Sequence, residues 1–572
     1  MSRHRNIRRM IIEHEREDYY DDYEDYEDEE ETENQYTYHN RKPTAVPLGR
    51  RAPFVQQNQK HAKKQNNGQC APLNEPKKTE QVKDVLRESA TPAMSKKSSE
   101  MDLTEYRRNQ LLNIARAPFV PRRTAKPRLV RKDLINLIVV GHVDAGKSTL
   151  MGHLLHDLDV VDTRTIDKYK RDAARSGKAS FAYAWVLDET EEERERGVTM
   201  DIGRTSFETE NRRIVLLDAP GHKDFISNMI TGTSQADAAI LVVNATTGEF
   251  ETGFENGGQT KEHALLLRSL GVTQLVVAIS KLDTVEWSYD RYEEIRNSLS
   301  VFLTRHAGFS KPIFVPVSGF TGENLVKRMN LSWYDGPCLL ELMNSFVAPK
   351  LSFGGLLRIG ISDVHKVSEN QVVVSGKVES GEVEKDDKVY IMPSVTPATI
   401  KECAGNIGAA QYVTGDFIMF TLQGTFEPES VQVGSVVVKS GPDTLIPGRK
   451  FQVRLVVFEI ATPIIKVKSI LLFFSIFFSF FQGAKYELYA HSLCIPCTFT
   501  KLIHTIDKSN GEVLKEKPRF ISRGMSAVVE IETDHDVAIE SFTSCRALGR
   551  VTFRSGGNTI AAGIVEKTIT PQ

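Results

Sequence analysis

Cysteine is scarce in this chain: six residues in 572, and those six are widely spaced. That scarcity excludes a dense disulfide framework and points to reduced thiols in a cytoplasmic protein. The single C-x-x-C, Cys494-Ile495-Pro496-Cys497, has no second pair and no histidine cluster beside it, so strand packing is expected there rather than metal or redox chemistry. Net charge is also slight: 73 basic against 75 acidic residues leave −2, so nothing about the whole chain calls for a polyanion or a membrane. The N-terminus, Met1-Ser2-Arg3-His4-Arg5-Asn6, lacks the apolar core of a signal peptide. The apolar run Ile470 to Phe481 has only twelve residues, where a membrane helix needs about 20.

What is present is uneven. Glu17 to Glu33 is almost all acid and tyrosine, and the stretch from about Arg41 to Lys132 is polar and basic. Neither shows sustained hydrophobic periodicity, so residues 1–132 are expected to be a largely disordered extension, with its basic part suited to RNA. Val467 to Gln482 is foreign to its surroundings. Val can be encoded from a splice-donor GT, Phe, Leu and Ser are mostly encodable by pyrimidines, and Gln can be the CAG of an acceptor. Sixteen codons keep the frame. The segment therefore reads as a short retained intron or a gene-model error. A genuine hydrophobic loop for a partner or membrane is the alternative.

The most specific pattern is Gly141-His142-Val143-Asp144-Ala145-Gly146-Lys147-Ser148-Thr149. It follows a β-branched apolar run, Leu134 to Val140, and opens into an apolar helix start at Leu150. Strand, G-x-x-x-x-G-K-[ST], helix is the phosphate-binding P-loop, whose backbone N–H groups converge on phosphate oxygens. Lys147 would reach the β- and γ-phosphates and Ser148 would ligate Mg²⁺. Four further motifs follow in the order a GTPase needs. Arg196-Gly197-Val198-Thr199 offers the Thr199 hydroxyl to the metal. A strand at Arg213–Leu217 ends in Asp218-Ala219-Pro220-Gly221-His222: Asp218 to hold Mg²⁺ through water, Gly221 to turn its peptide toward the γ-phosphate, His222 to orient the attacking water. A strand at Gln274–Ile279 delivers Ser280, Lys281 and Asp283, the last placed to accept the guanine N1–H and exocyclic N–H₂. Another at Phe314–Val317 ends in Ser318-Gly319-Phe320, whose backbone can meet guanine O6. Strands alternating with helices predict a doubly wound, mostly parallel α/β sheet with GTP or GDP at the carboxyl ends of the strands. From Leu357 onward, short alternating strands such as Gln371–Val378 and Lys388–Met392 recur between turns.

The runs G-H-V-D-A-G-K-S-T, R-G-V-T-M-D and D-A-P-G-H-K-D-F, with the late Ser555-Gly556-Gly557-Asn558-Thr559-Ile560-Ala561-Ala562-Gly563, resemble the elongation-factor-one-alpha superfamily of translational GTPases. The similarity covers about Asp133 to the C-terminus. It implies a GTP-binding domain at 133–348 and two β-barrels, at 349–445 and 446–572, the second interrupted by 467–482. Within the superfamily the chain resembles the HBS-type ribosome-rescue branch that partners Pelota. The carriers are the start Met1–Asn6 with its Tyr/acidic run, Glu249-Phe250-Glu251-Thr252-Gly253-Phe254, and the long linker. That resemblance implies a GTPase stimulated by the ribosome. It would deliver a tRNA-shaped, Pelota-like, release-factor-related protein to stalled ribosomes, meeting rRNA and serving mRNA surveillance, as a monomer or a heterodimer with that partner. It also implies an apolar gate at Val143 and Val198 that keeps His222 withdrawn. A release-factor GTPase is the alternative, although its tail is typically Gln/Asn/Gly-rich. A non-hydrolysing ribosome-binding scaffold is the alternative of another class. Its one support is Ser280, which stands where the N-K-x-D guanine motif has Asn, a loss of about 1–2 kcal/mol of nucleotide binding.

Overall fold

The computed structural model describes residues 109–116 and 132–569, apart from 189, 256–257, 350–354, 369, 406–410, 459–463, 466–484 and 508–511. Expectations for 1–108, 117–131 and 467–482 lie outside the described residues.

The first six strands are β1 (Asp133–Val140), β2 (Gly203–Glu208), β3 (Arg212–Asp218), β4 (Ala238–Asn244), β5 (Gln274–Ser280) and β6 (Ile313–Pro316). They form one sheet in the order β2-β3-β1-β4-β5-β6. Every pairing is parallel except β2 with β3. The sheet is thus the expected doubly wound one, and the ends of β1, β3, β5 and β6 fall within two residues of the apolar runs that announced them, while β2 and β4 were not singled out in the sequence. Successive side chains point to opposite faces. Ile138 and Val140 join a core with helices Ile226–Ser234, Gln259–Leu270 and Tyr289–Arg305, while Leu137 and Val139 join another with helices Lys147–Asp157 and Leu339–Ser345. Burial on both faces explains why these strands read as continuous apolar runs.

Eight strands follow: β7 (Arg358–Ser368), β8 (Gln371–Ser380), β9 (Glu382–Glu384), β10 (Lys388–Met392), β11 (Thr396–Gly405), β12 (Gln411–Val413), β13 (Phe417–Gln423) and β14 (Val436–Val438). Six of them close a barrel in the order β10-β11-β13-β8-β7-β14, and β9 pairs with β12. The last nine are β15 (Gly448–Val457), β16 (Ile464–Ile465), β17 (Tyr486–Ala490), β18 (Leu493–Ile506), β19 (Val513–Glu516), β20 (Phe520–Ile521), β21 (Ser526–Val537), β22 (Arg550–Ser555) and β23 (Asn558–Ile569). The run β17-β22-β23-β15-β21-β18 closes into a second barrel through β17–β18 pairing, with β19 alongside β18. Alternation drives closure: Phe451, Val453, Leu455 and Val457 of β15 all point into the interior. Among the described residues no helix is long and apolar enough to cross a membrane.

One short segment within the extension was not anticipated from the sequence. Residues 109–116 of the extension are helical, and Ile114 is buried in a cluster with Met392, Val436 and Leu445 of the first barrel and Ala538 and Leu548 beside the second. The Ile114 carbonyl also accepts the Gly441 N–H at 3.1 Å. Most helical stability in proteins comes from packing of this kind rather than from propensity. Low average hydrophobicity hid a short Leu-Leu-Asn-Ile stretch that suffices to dock.

Barrels and sheet are joined by buried polar contacts. Arg358 binds Glu540 through two bonds of 2.6 and 2.8 Å, both side chains almost fully buried. Lys377 Nζ reaches Asp237 at 3.2 Å and the Gln235 carbonyl at 2.8 Å. Thr559 Oγ1 donates to Glu262 at 2.8 Å.

Candidate nucleotide-binding site

The carboxyl ends of β1, β3, β5 and β6 converge on one edge of the sheet, and the expected motifs sit there. Gly141 leaves β1 with φ 156°, and a Cβ on it would lie 2.2 Å from the Val242 carbonyl of β4. Asp144 (φ 58°) and Gly146 (φ 86°) curl the chain into the helix Lys147–Asp157, whose N-terminus has no side-chain cap. Its first N–H groups are therefore free of a local acceptor and face the loop, an arrangement that favours an anion. Ala145 is buried beneath the loop and Thr149 lines the cavity above it. Lys147 is buried, with Nζ donating to the His142 carbonyl at 3.1 Å. Burial holds its pKa below the ordinary lysine value, against the pull of Asp218 and Asp144.

Three oxygens from three segments meet beside it. Ser148 Oγ donates to Asp218 Oδ2 at 2.6 Å and lies 3.1 Å from Thr199 Oγ1. Thr199 is brought inward by Glu193. That residue closes a capping box with Thr190 on the helix Glu191–Arg196 and accepts the Met200 and Asp201 N–H groups at 2.9 and 3.2 Å. Asp218 is fully buried, its Oδ1 has no hydrogen-bond partner, and burial pushes its pKa up to about 6. Asp188, in the same cavity, is pushed up to about 8 by burial and then by the Asp218 and Glu193 carboxylates. Orphaned carboxylate oxygen beside two hydroxyls suits a hard divalent cation, which would reverse both penalties. Asp188 was missed from sequence. It closes the apolar run Trp185-Val186-Leu187, a placement that could have drawn notice.

His222 lines the same cavity with Val143, Val198 and Gly221. Its Nδ1 accepts the Asp224 N–H at 3.3 Å and lies 3.4 Å from the Asp224 carboxylate, and the ring is partly exposed. Gly221 has no room for a side chain: a Cβ would come 2.3 Å from Lys147 Nζ and 2.9 Å from the Gly141 carbonyl.

At the other end, Ser280 is buried where β5 ends, its Oγ 3.6 Å from the point where a Gly146 side chain would begin. Lys281 turns through φ 60° and Asp283 follows in a short 3-10 turn, Leu282–Val285. Ser318 is buried, and Oγ accepts the Thr321 N–H at 3.2 Å. Phe320 is 61% exposed, so its backbone rather than its ring is what that loop can offer. The Gly319 carbonyl is 2.9 Å from His153 Nδ1, which pins this loop to the P-loop helix and was not anticipated. Cys494 is exposed and Cys497 buried, both free, and among the described residues no cluster of His, Cys, Asp and Glu could hold a metal.

The elongation factor Tu GTP binding domain matches residues 132–349, and the GTP-eEF1A C-terminal domain-like family matches 474–566. Elongation factor 1-alpha of Thermofilum pendens is 40% identical over 76% of the chain and 97% of its own length. Protein HBS1 of Drosophila melanogaster is 46% identical over 77% of the chain, which spans 64% of that protein. The release factor GTP-binding subunit of Schizosaccharomyces pombe is 38% identical over the same share. Among solved structures, the GTPase-like domain of Ski7 from S. cerevisiae bound to GTP has the same fold, with a TM-score of 0.63 at 18% identity over 76% of this chain and 97% of that one.

Proposed function

The chain belongs to the GTPase family of elongation factor 1-alpha, and from that premise we propose an HBS-type translation factor that carries a Pelota-like, tRNA-shaped protein to stalled ribosomes. The observation that carries this reading is the 46% identity to HBS1, against 38% to the release-factor subunit. Phosphoryl transfer to water needs placement and charge more than covalent chemistry. Lys147 and the open N–H groups of the P-loop would bind the β- and γ-phosphates. The Ser148 and Thr199 hydroxyls with Asp218 would hold Mg²⁺, which when bound neutralises phosphate charge. Asp283 would read guanine, with Lys281 along the base and Ser318, Gly319 and Phe320 closing over it. His222 would orient the attacking water once drawn past Val143 and Val198. Hydrolysis would free Thr199 and Gly221 from the γ-phosphate and so release the partner.

The test is multiple-turnover GTP hydrolysis with stalled ribosomes and a Pelota-like partner. His222→Ala should leave GTP affinity within about threefold and remove the stimulation, because it acts on water rather than nucleotide. Stimulated turnover that survives His222→Ala would remove that role. Stimulation only by a stop-codon release factor would replace rescue with termination.

A further inference from the structure

Gln259 opens the helix Gln259–Leu270, and its half-buried carboxamide faces two other segments at once. In the orientation that matches every donor with an acceptor, its nitrogen donates to His142 Nδ1 at 2.6 Å and to the Gly221 carbonyl at 2.9 Å, while its oxygen accepts the Lys223 N–H at 3.1 Å. The Gly221 carbonyl lies immediately before His222 in the chain and the Lys223 N–H immediately after it. One side chain therefore grips the backbone on both sides of the histidine without touching the imidazole, which is held separately by Asp224.

The grip is itself anchored. Burial lowers the pKa of His142, with Lys147 adding to it and the Gln259 contact opposing it, and a ring nitrogen without a proton is what the Gln259 amide meets. Gly258 sets the entry to the helix: a Cβ there would lie 2.0 Å from the Gly253 carbonyl, and Gly253 in turn packs against the His142 ring. Behind that turn, Glu251 is fixed by Arg291 at 2.9 Å. We infer that Gln259 is the positioning residue for His222, fixing the peptides on either side so that the imidazole swings from one origin toward the attacking water. This rests on the reading of His222 given above. Fixed flanking peptides matter because a displacement of about 1 Å at a reacting group can cost about a hundredfold in rate.

The experiment is a double-mutant cycle in the full chain, read by single-turnover hydrolysis at saturating GTP with and without ribosomes. Gln259→Leu keeps the volume and removes all three bonds. Gln259→Glu keeps an acceptor for Lys223 but sets a carboxylate against the Gly221 carbonyl. Both should hydrolyse GTP about tenfold or more slowly, with GDP and GTP affinities from equilibrium titration within about threefold of the parent. In a His222→Ala background Gln259→Leu should have no further effect. Equal slowing in both backgrounds, an unchanged rate, or a loss carried by nucleotide affinity or by melting temperature would each overturn the inference. If His222→Ala is slow while Gln259→Leu is not, this inference alone falls. If His222→Ala is as fast as the parent, the role given to His222 falls and this one with it.

Discussion

At position 280 a short hydroxyl stands beside the P-loop, 3.6 Å from the point where a Gly146 side chain would begin, where the longer amide of Asn would carry both a donor and an acceptor. Ser280→Asn is expected to tighten GDP and GTP binding by up to about tenfold, the equivalent of roughly 1.4 kcal/mol from one buried hydrogen bond. Equilibrium titration measures it, and flat affinity would mean that the loop has already compensated. Position by position, the residues legible in the sequence were those whose spacing a phosphate or a base dictates locally. Lys147, Ser148 and Thr149 stand on one turn, and Asp218 and Gly221 on one strand exit. Asp188, His153 and Gln259 escaped because each acts on a partner distant in sequence: His153 on Gly319, Gln259 on His142 and Gly221.

Among the elements, the helical residues 109–116 pack on the barrels through Ile114. Ile114→Ala should cost about 2 kcal/mol, since it removes a buried aliphatic side chain from a partly relaxable site. A melting curve reads the change, and an unaltered midpoint would show that the helix merely rests on the barrels. The β17–β18 turn carries a second element-scale consequence. Burial of His491 there pushes its pKa down to about 4, from 6.5 in the unfolded chain. The unfolded state thus binds more protons between those values, so this contribution is complete above pH 6.5 and is lost as pH falls toward 4, on the order of 3 kcal/mol in all. His491→Asn, tolerant of the φ of 42° found there, should flatten the acid limb of the melting temperature between pH 4 and 6.5. An acid limb as steep as the parent's would refute it.

For the molecule as a whole, the sequence disclosed the layer order but not the joints. Alternation and apolar runs mark a strand wherever one face is buried, so the sheet and several barrel strands were visible in advance, while closure into two barrels was what the resemblance to translational GTPases implied. Arg358–Glu540 pairs residues 182 apart and Lys377–Asp237 pairs residues 140 apart, and no local pattern announces such partners. The origin of Val467 to Gln482 is a whole-molecule question too. Peptide mapping of the natural protein should find a peptide joining Lys466 to Gly483 if the segment is a retained intron. Abundant peptides from inside it would instead establish it as translated sequence.

Closure of the second barrel also sets a schedule. β15 ends at Val457 and its neighbour β23 begins at Asn558, so β15 emerges from the ribosome about a hundred residues ahead of the strand that covers one of its edges. During that interval an apolar edge strand waits unpaired, the kind of template on which nascent chains associate with one another. The Phe-rich run from Phe473 to Phe481 is made within the same interval. A chain carrying that run would therefore spend its most vulnerable seconds of synthesis with two sticky surfaces showing at once, and chaperone demand during translation, rather than stability once folded, is where its presence would be felt.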